Sequence, residues 1–174
     1  RSLSAADVAP LIAAMGVPRV DFYISEAATD AARLHLVCRL VDKAYAAGHP
    51  TLVLGDDRRE LAALDDLLWT SIDGSFIPHE RATEEAEATT TTSTSEAPVL
   101  LATRVPDDFP RVLLVNLGAA MPEVAAAFQR VIEVPGADPV NRQQARERFR
   151  AYRRLGAEPT THQVGCQPPA ARPL

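Results

Sequence analysis

The sequence predicts a three-layer α/β/α sandwich around a largely parallel or mixed central sheet. Short apolar segments alternate with helical ones, as in VDFYI, then RLHLVCRLV, then TLVL. Strands that alternate with helices of this length are typical of a largely parallel sheet covered on both faces. At 174 residues, of which 47% are hydrophobic, the chain is long enough for one domain with a buried core.

The first half of the chain alternates strands and helices. Its predicted elements are a strand at residues 20–24, a helix from residue 29 or 30 to Gly48, a strand at 51–54 and a helix at 58–69. Thr29 or Asp30 suits the start of the first helix, because a side-chain oxygen there accepts a hydrogen bond from a free backbone N–H. Gly48 suits its end, because glycine readily closes helices in the left-handed conformation.

The second half continues the alternation after a low-complexity segment. Residues 81–97 hold four glutamates and the tract TTTTSTS, which bury too little apolar surface to offset the entropy of ordering them. We therefore expect a flexible surface insertion there. The elements predicted beyond it are strands at 98–103, 112–116 and 131–134, a short helix at 123–128 and a final helix from about 139 to 155.

The two ends of the chain are predicted to flank a single domain that spans residues 15–158. Met15 opens the segment MGVPRVDFYI, which resembles a natural start, so residues 1–14 are interpreted as an upstream extension. The alternative is a short helix packed on the domain. Residues 159–174 are rich in proline, and we expect them to form a loose tail.

Composition excludes several classes of protein. A net charge of -5 argues against a protein that coats nucleic acid through its overall field, so any basic site must be local. Two cysteines and four dispersed histidines favour neither a disulfide framework nor a metal site, and no cofactor is expected. We found no signal peptide and no apolar run long enough to span a bilayer, so we expect a cytoplasmic protein.

The sequence gives little support to catalysis. It has no GxxxxGK loop, no GxGxxG after a strand and no nucleophile elbow. Asp56 and Asp57 follow the strand at 51–54, at the end of a strand where α/β folds often place active sites. The alternative is a turn whose charges favour the start of the next helix. We expect the second case, and keep an α/β enzyme as a competing function.

The final helix has a basic face around an aromatic residue. At about 100 degrees per residue, one side of this helix carries Arg142, Arg146, Phe149, Arg150 and Arg153. Arginines around an apolar anchor suit an acidic peptide with a bulky apolar group. A plain solvated face and a single-stranded nucleic-acid surface are the alternatives. The acidic remainder of the protein favours the peptide.

Four segments resemble the chi subunit family of bacterial DNA polymerase III. They are VDFYI, LDDLLWTSIDGSFIPHE, RVLLVNLG and ARERFRAYRRLG. The resemblance implies a non-catalytic α/β adaptor that pairs with a psi subunit and links the clamp-loader complex to single-stranded-DNA-binding protein. It also implies a pocket for the acidic, phenylalanine-ended tail of that protein. The positions that match the pocket are Val134, Arg142, Arg146, Phe149 and Arg150, next to Arg153 on the same helix face.

The sequence departs from the family pattern at the pocket. The family commonly has tyrosine where Phe149 stands, and lysine at the positions of Arg142 and Arg150. Trp69 and Phe76 lie in the second resembling segment. They either pack in the core or form an apolar patch for psi or another holoenzyme protein.

Overall fold

The computed structural model describes residues 16–70, 76–84 and 96–165, and their centre is one seven-stranded sheet. In chain order the strands are β1 (Arg19–Ser25), β2 (Thr51–Leu54), β3 (His79–Arg81), β4 (Val99–Ala102), β5 (Leu113–Asn116), β6 (Arg130–Glu133) and β7 (Thr160–Val164). Their order across the sheet is β3-β4-β2-β5-β6-β1-β7, and every neighbouring pair is parallel. All carboxyl ends of the strands therefore lie at one edge of the sheet.

Three α-helices are present within the described ranges. They are α1 (Asp30–Ala46), α2 (Arg58–Thr70) and α3 (Pro139–Arg154). The Thr29 hydroxyl accepts a hydrogen bond from the Ala32 N–H at 3.2 Å, and Gly48 has a φ of 74°, as the sequence predicts for the two ends of α1. None of the described helices is both long and apolar enough to cross a membrane.

Two apolar cores lie on opposite faces of the sheet, because successive side chains of a strand point in opposite directions. Val53 belongs to the core under α1 and α2, whereas its neighbours Leu52 and Leu54 belong to the core on the side of α3. Tyr152 of α3 packs in this second core and is fully buried. The predicted three-layer α/β/α class is confirmed, and the described sheet is wholly parallel.

The predicted loose tail at residues 159–174 is wrong in its first part. Thr160–Val164 forms β7, which pairs in parallel with β1. Its sequence TTHQV is mostly polar and mostly exposed, so it lacks the apolar run that predicts a strand. The His162 ring instead contacts the Asp21 carboxylate of β1 at 2.9 Å.

Other boundaries also differ from the expectation. Arg81, predicted to begin the insertion, ends β3, and the short helix predicted at 123–128 is a 3-10 helix at Glu123–Ala127. Most of the predicted insertion, residues 85–95, lies outside the described residues. The predicted extension at 1–14 and the end of the chain after residue 165 lie outside them as well, so those predictions stay predictions.

Candidate functional site

A groove of about 660 Å³ lies at the carboxyl edge of the sheet, between the strand pair β1 and β7 and helix α3. Its floor includes Phe22 and Ile24 of β1 and Thr161 and Gln163 of β7. These four residues share one face because Phe22 pairs with Thr161 and Ile24 pairs with Gln163. Open parallel sheets commonly bind ligands at this edge.

Helix α3 forms the basic wall of this groove. Five of the six residues predicted to bind a partner line it together, namely Arg142, Arg146, Phe149, Arg150 and Arg153. We call the space that they and the floor enclose the arginine groove. Asp138 starts α3 by accepting a hydrogen bond from the Asn141 N–H at 3.0 Å, and Pro139 occupies the first turn. Because α3 is regular, its basic residues recur along one side.

Val134, the sixth predicted residue, is placed differently. Its side chain is fully buried in the core under α1 and does not line the arginine groove. Its carbonyl oxygen accepts a hydrogen bond from Arg33 Nε at 2.8 Å. Pro135, the next residue, lines the groove instead. Adjacent side chains of an extended chain point in opposite directions, so a shift of one residue separates the core from the groove.

The four arginines that α3 contributes to the groove carry unneutralised charge within the described part of the chain, whereas Arg33, which also lines the groove, pairs with Glu60. None of Arg142, Arg146, Arg150 and Arg153 makes an ion pair with another residue in the part of the chain that the structure describes. Glu26, at the turn after β1, is the acidic residue among the described groove-lining residues. The groove therefore favours an anionic ligand.

Phe149 supplies an apolar contact within this basic wall. Its half-buried ring lies 5.4 Å from the ring of Phe22, the most buried residue of the floor. The Phe22 ring also meets the Tyr152 ring edge-on at 6.2 Å. Core contacts thus hold one side of Phe149 in place, while its other side faces the groove.

A buried polar cluster lies beneath α3, and sequence reasoning missed it. The Glu133 carboxylate accepts hydrogen bonds from Tyr152 OH at 2.7 Å, Arg148 Nε at 2.8 Å and Asn116 Nδ2 at 3.0 Å. Burial raises the pKa of Glu133, although the Arg148 charge opposes this, and burial also raises the pKa of the Tyr152 phenol. The sequence signal for this cluster was weak. It consisted of Arg148 and Tyr152, four residues apart on the final helix, and of Glu133, which ends an apolar strand.

Asp56 and Asp57 make structural contacts. Asp56 Oδ2 accepts a hydrogen bond from the Ala119 N–H at 2.7 Å, which ties the turn after β2 to the turn after β5. Asp57 Oδ1 accepts one from the Arg59 N–H at 2.8 Å, at the start of α2. These contacts favour the turn-and-helix-start interpretation. Within the described ranges, no group of three or more His, Cys, Asp or Glu residues is placed to hold a metal ion.

Trp69 and Phe76 lie on the surface, so the core-packing interpretation is wrong. Their exposed fractions are 54% and 65%, and their rings lie 5.3 Å apart. The Trp69 ring also lies 4.7 Å from the ring of His79, whose Nε2 is 3.1 Å from Asp65 Oδ1. We call Trp69 and Phe76 the aromatic patch.

Fold and surface together define a three-layer parallel α/β protein whose carboxyl edge carries a basic, partly apolar groove. Residues 17–160 match the protein family described as DNA polymerase III chi subunit, HolC. The chain therefore belongs to this family, as its sequence motifs predict, and has an accessory role in DNA replication.

Named relatives agree with this family. The chain is 37% identical over 146 residues to DNA polymerase III subunit chi of Pseudomonas aeruginosa, a match that covers 84% of this chain and 96% of the relative. It is 32% identical over 123 residues to the Escherichia coli subunit, covering 70% of this chain and 78% of the relative. The Haemophilus influenzae subunit is 25% identical over 130 residues, covering 75% and 86%.

Proposed function

We propose that this chain is a non-catalytic adaptor of the DNA polymerase III clamp-loader complex. It binds the acidic C-terminal tail of single-stranded-DNA-binding protein in the arginine groove and pairs with a psi subunit. The observation that carries the first contact is the set of four arginines around Phe149 and Ile24, which have no ion-pair partner among the residues that the structure describes. Membership of the chi family supports the place in the polymerase complex.

The chemistry of the groove favours an acidic peptide with an aromatic end. Guanidinium groups form paired hydrogen bonds with carboxylates, and Phe149 with Ile24 offers apolar surface to a terminal ring. A volume of about 660 Å³ also lies within the usual size of ligand pockets. The acidic charge of the whole chain, -5, disfavours a long nucleic-acid backbone on the rest of the surface.

The adaptor role also needs a second surface, and the aromatic patch is the candidate. Two exposed aromatic rings in contact are common anchors of protein interfaces. We assign this patch to the psi subunit. The absence of catalysis is supported by Asp56 and Asp57, whose carboxylates are bound to backbone N–H groups.

Calorimetry with a synthetic acidic peptide that ends in phenylalanine tests the groove. Arg146→Ala removes a charge-assisted contact in the middle of the basic face and is expected to cost about 2 kcal/mol of binding free energy. Arg154→Ala is the matched control, because Arg154 is exposed on the same helix but does not line the groove. Its cost should be small. Added salt should weaken peptide binding without abolishing it, since the apolar contact is not screened.

A bare single-stranded oligonucleotide, titrated into the same proteins, separates the two ligand classes. The adaptor proposal expects weaker binding of the oligonucleotide than of the peptide. Equal losses for Arg146→Ala and Arg154→Ala, or tighter binding of the oligonucleotide, would contradict it. Those results would indicate a diffuse nucleic-acid surface on α3.

A further inference from the structure

We propose that the buried polar cluster of Glu133, Arg148, Tyr152 and Asn116 positions α3 over the sheet, and so sets the geometry of the arginine groove. The role that we assign to these residues is positioning rather than ligand contact. The consequence for tail binding rests on the proposed function. The position of α3 itself does not depend on that function and is measured separately below.

Helix α3 has fewer buried residues than α1. Arg148 and Tyr152 are its buried residues, and both are hydrogen-bonded to the Glu133 carboxylate. Helix α1, by contrast, buries seven residues, six of which are apolar. Apolar contacts are non-directional, so the few that α3 makes leave its rotation and axial position weakly specified. Hydrogen bonds to one fixed carboxylate specify both.

The spacing of these residues makes the cluster an effective anchor. Arg148 and Tyr152 are four residues apart and therefore lie on the same side of α3, facing the end of β6. Arg148 also donates from Nη1 to the Ala119 carbonyl oxygen at 2.7 Å, which gives the helix a second fixed point after β5. In sequence, Arg148 lies between the groove residues Arg146 and Phe149. A displacement of the anchor would displace both of them.

The acceptors of this anchor are themselves fixed. Asn116 Nδ2 donates to Glu133 Oε1 at 3.0 Å and to the Ala120 carbonyl at 3.1 Å. Asn116 Oδ1 accepts from the Gly118 N–H at 3.0 Å. The chain that leaves Glu133 reaches the groove two residues later, at Pro135. Glu133 therefore contacts α3, the helix that forms the basic wall, and lies two residues before Pro135, which lines the groove.

We expect this buried ion pair to contribute more to the specificity of the structure than to its stability. Removing one partner leaves a buried charge unpaired, whereas replacing both by apolar residues of similar size is often neutral or stabilising. The informative variant is therefore the double substitution Glu133→Leu with Arg148→Met. It keeps the site filled and removes the directional contacts.

The test combines thermal unfolding, tail-peptide calorimetry and amide hydrogen exchange on the whole chain. For the double variant we expect a lower melting temperature, because the buried Tyr152 hydroxyl loses its acceptor. Exchange should become faster in α3 than in β2 and β4, which lie outside the cluster. We also expect about a tenfold weaker peptide affinity, which is a typical effect for residues that influence a site without contacting its ligand. Asp57→Asn is the control, because Asp57 contacts the Arg59 N–H at the start of α2 and neither α3 nor the polar cluster, and it should leave affinity unchanged.

Tyr152→Phe is the milder companion variant. It keeps the ring in the core, removes one donor to Glu133 and should give a smaller change in the same direction for exchange and affinity. The proposal would be overturned if the double variant showed both wild-type exchange in α3 and wild-type affinity. If the double variant does not fold, the same result for Tyr152→Phe would overturn it. An equal loss for Asp57→Asn would also overturn it. If the wild type does not bind the peptide, the tail-binding proposal fails, and exchange in α3 alone decides the positioning role.

Discussion

Phe149 contacts both the core and the groove, so its substitution should affect binding and stability. Phe149→Ala removes apolar surface that packs on Phe22 and is expected to cost about 2 kcal/mol of tail-binding free energy. Phe149→Tyr keeps the ring and restores the residue common in the family, so its affinity should stay close to that of the wild type. Calorimetry and thermal unfolding of both variants test this. A Phe149→Ala variant with wild-type affinity would contradict it.

Glu26 is the acidic residue of the arginine groove and should oppose acidic ligands. Its side chain is exposed at the turn after β1, on the floor side of the groove. Glu26→Gln is therefore expected to tighten tail-peptide binding by a few tenths of a kcal/mol at low salt, as is usual for an exposed charge. Glu147→Gln is the control, because Glu147 is exposed on α3 and does not line the groove. Equal gains for both variants would indicate an effect of net charge alone.

Asp21 joins β1, β6 and β7 through its carboxylate. It contacts Arg130 at 2.9 Å, His162 at 2.9 Å and Arg19 at 3.1 Å. Burial opposes its ionisation, but the His162 hydrogen bond and the charges of Arg130 and Arg19 outweigh burial and lower the pKa below the ordinary 3.8. The contribution of Asp21 to stability is thus complete above pH 3.8 and lost as the pH falls through the lowered pKa.

Urea unfolding of the wild type and Asp21→Asn between about pH 6 and pH 3 checks this contribution. The wild type should be the more stable protein near pH 6, and its advantage should shrink in the acidic part of the range. A difference that is independent of pH would contradict the assignment. A growing advantage at low pH would reverse its sign.

At the scale of single residues, side-chain periodicity was the reliable signal. It placed Arg142, Arg146 and Phe149 on one side of α3, because the helix repeats regularly. Val134 was assigned to the pocket by the family resemblance alone, and its side chain lies in the core while that of Pro135 lines the groove. The buried Arg148 was also missed, since charged residues are seldom buried unless they are paired, and the partner Glu133 is distant in sequence.

At the scale of elements, β7 shows what local sequence leaves out. Its residues have no apolar alternation, so no strand was predicted there, and among the described strands its backbone pairs only with β1. Its conformation depends on a neighbour that precedes it by well over one hundred residues. The buried strands β2 and β5, by contrast, consist mainly of aliphatic residues and were predicted within one residue of their observed bounds.

Truncation tests whether β7 is part of the domain. A chain that ends after residue 158 loses the pairing with β1 and the two groove residues Thr161 and Gln163, so both its thermal stability and its tail-peptide affinity should fall. A chain that ends after residue 165 keeps β7 and is the control. Equal behaviour of the two truncated chains would show that β7 contributes to neither property.

A second prediction at this scale concerns the insertion predicted at residues 81–97. Its Thr, Ser and Glu content led us to expect a dispensable surface segment, and a deletion of residues 85–95 is the direct test. Thermal unfolding and tail-peptide affinity should stay close to the wild-type values. A large loss in either would show that the segment packs against the domain or contributes to the arginine groove.

At the scale of the whole molecule, the two candidate surfaces are far apart. The aromatic patch lies beside β3 at one end of the sheet, whereas the arginine groove lies on β1 and β7 at the other. Five inter-strand steps separate β3 from β1, or about 24 Å at roughly 4.8 Å per step. An adaptor needs this arrangement, because two partners must bind at once without competing.

Separate variants of the two surfaces should therefore act independently. Phe76→Ser removes apolar surface from the aromatic patch, and it should weaken psi binding with little loss of stability because Phe76 is 65% exposed. It should leave tail-peptide affinity unchanged, while Arg146→Ala should do the reverse. Sites separated by more than about 10 Å without shared partners usually give additive effects, so the double variant should show the sum of the two losses. Calorimetry with each partner alone, and with the other partner already saturating, measures this. Competition between psi and the tail peptide, or a Phe76→Ser variant that melts lower and still binds psi, would contradict the assignment of the two surfaces.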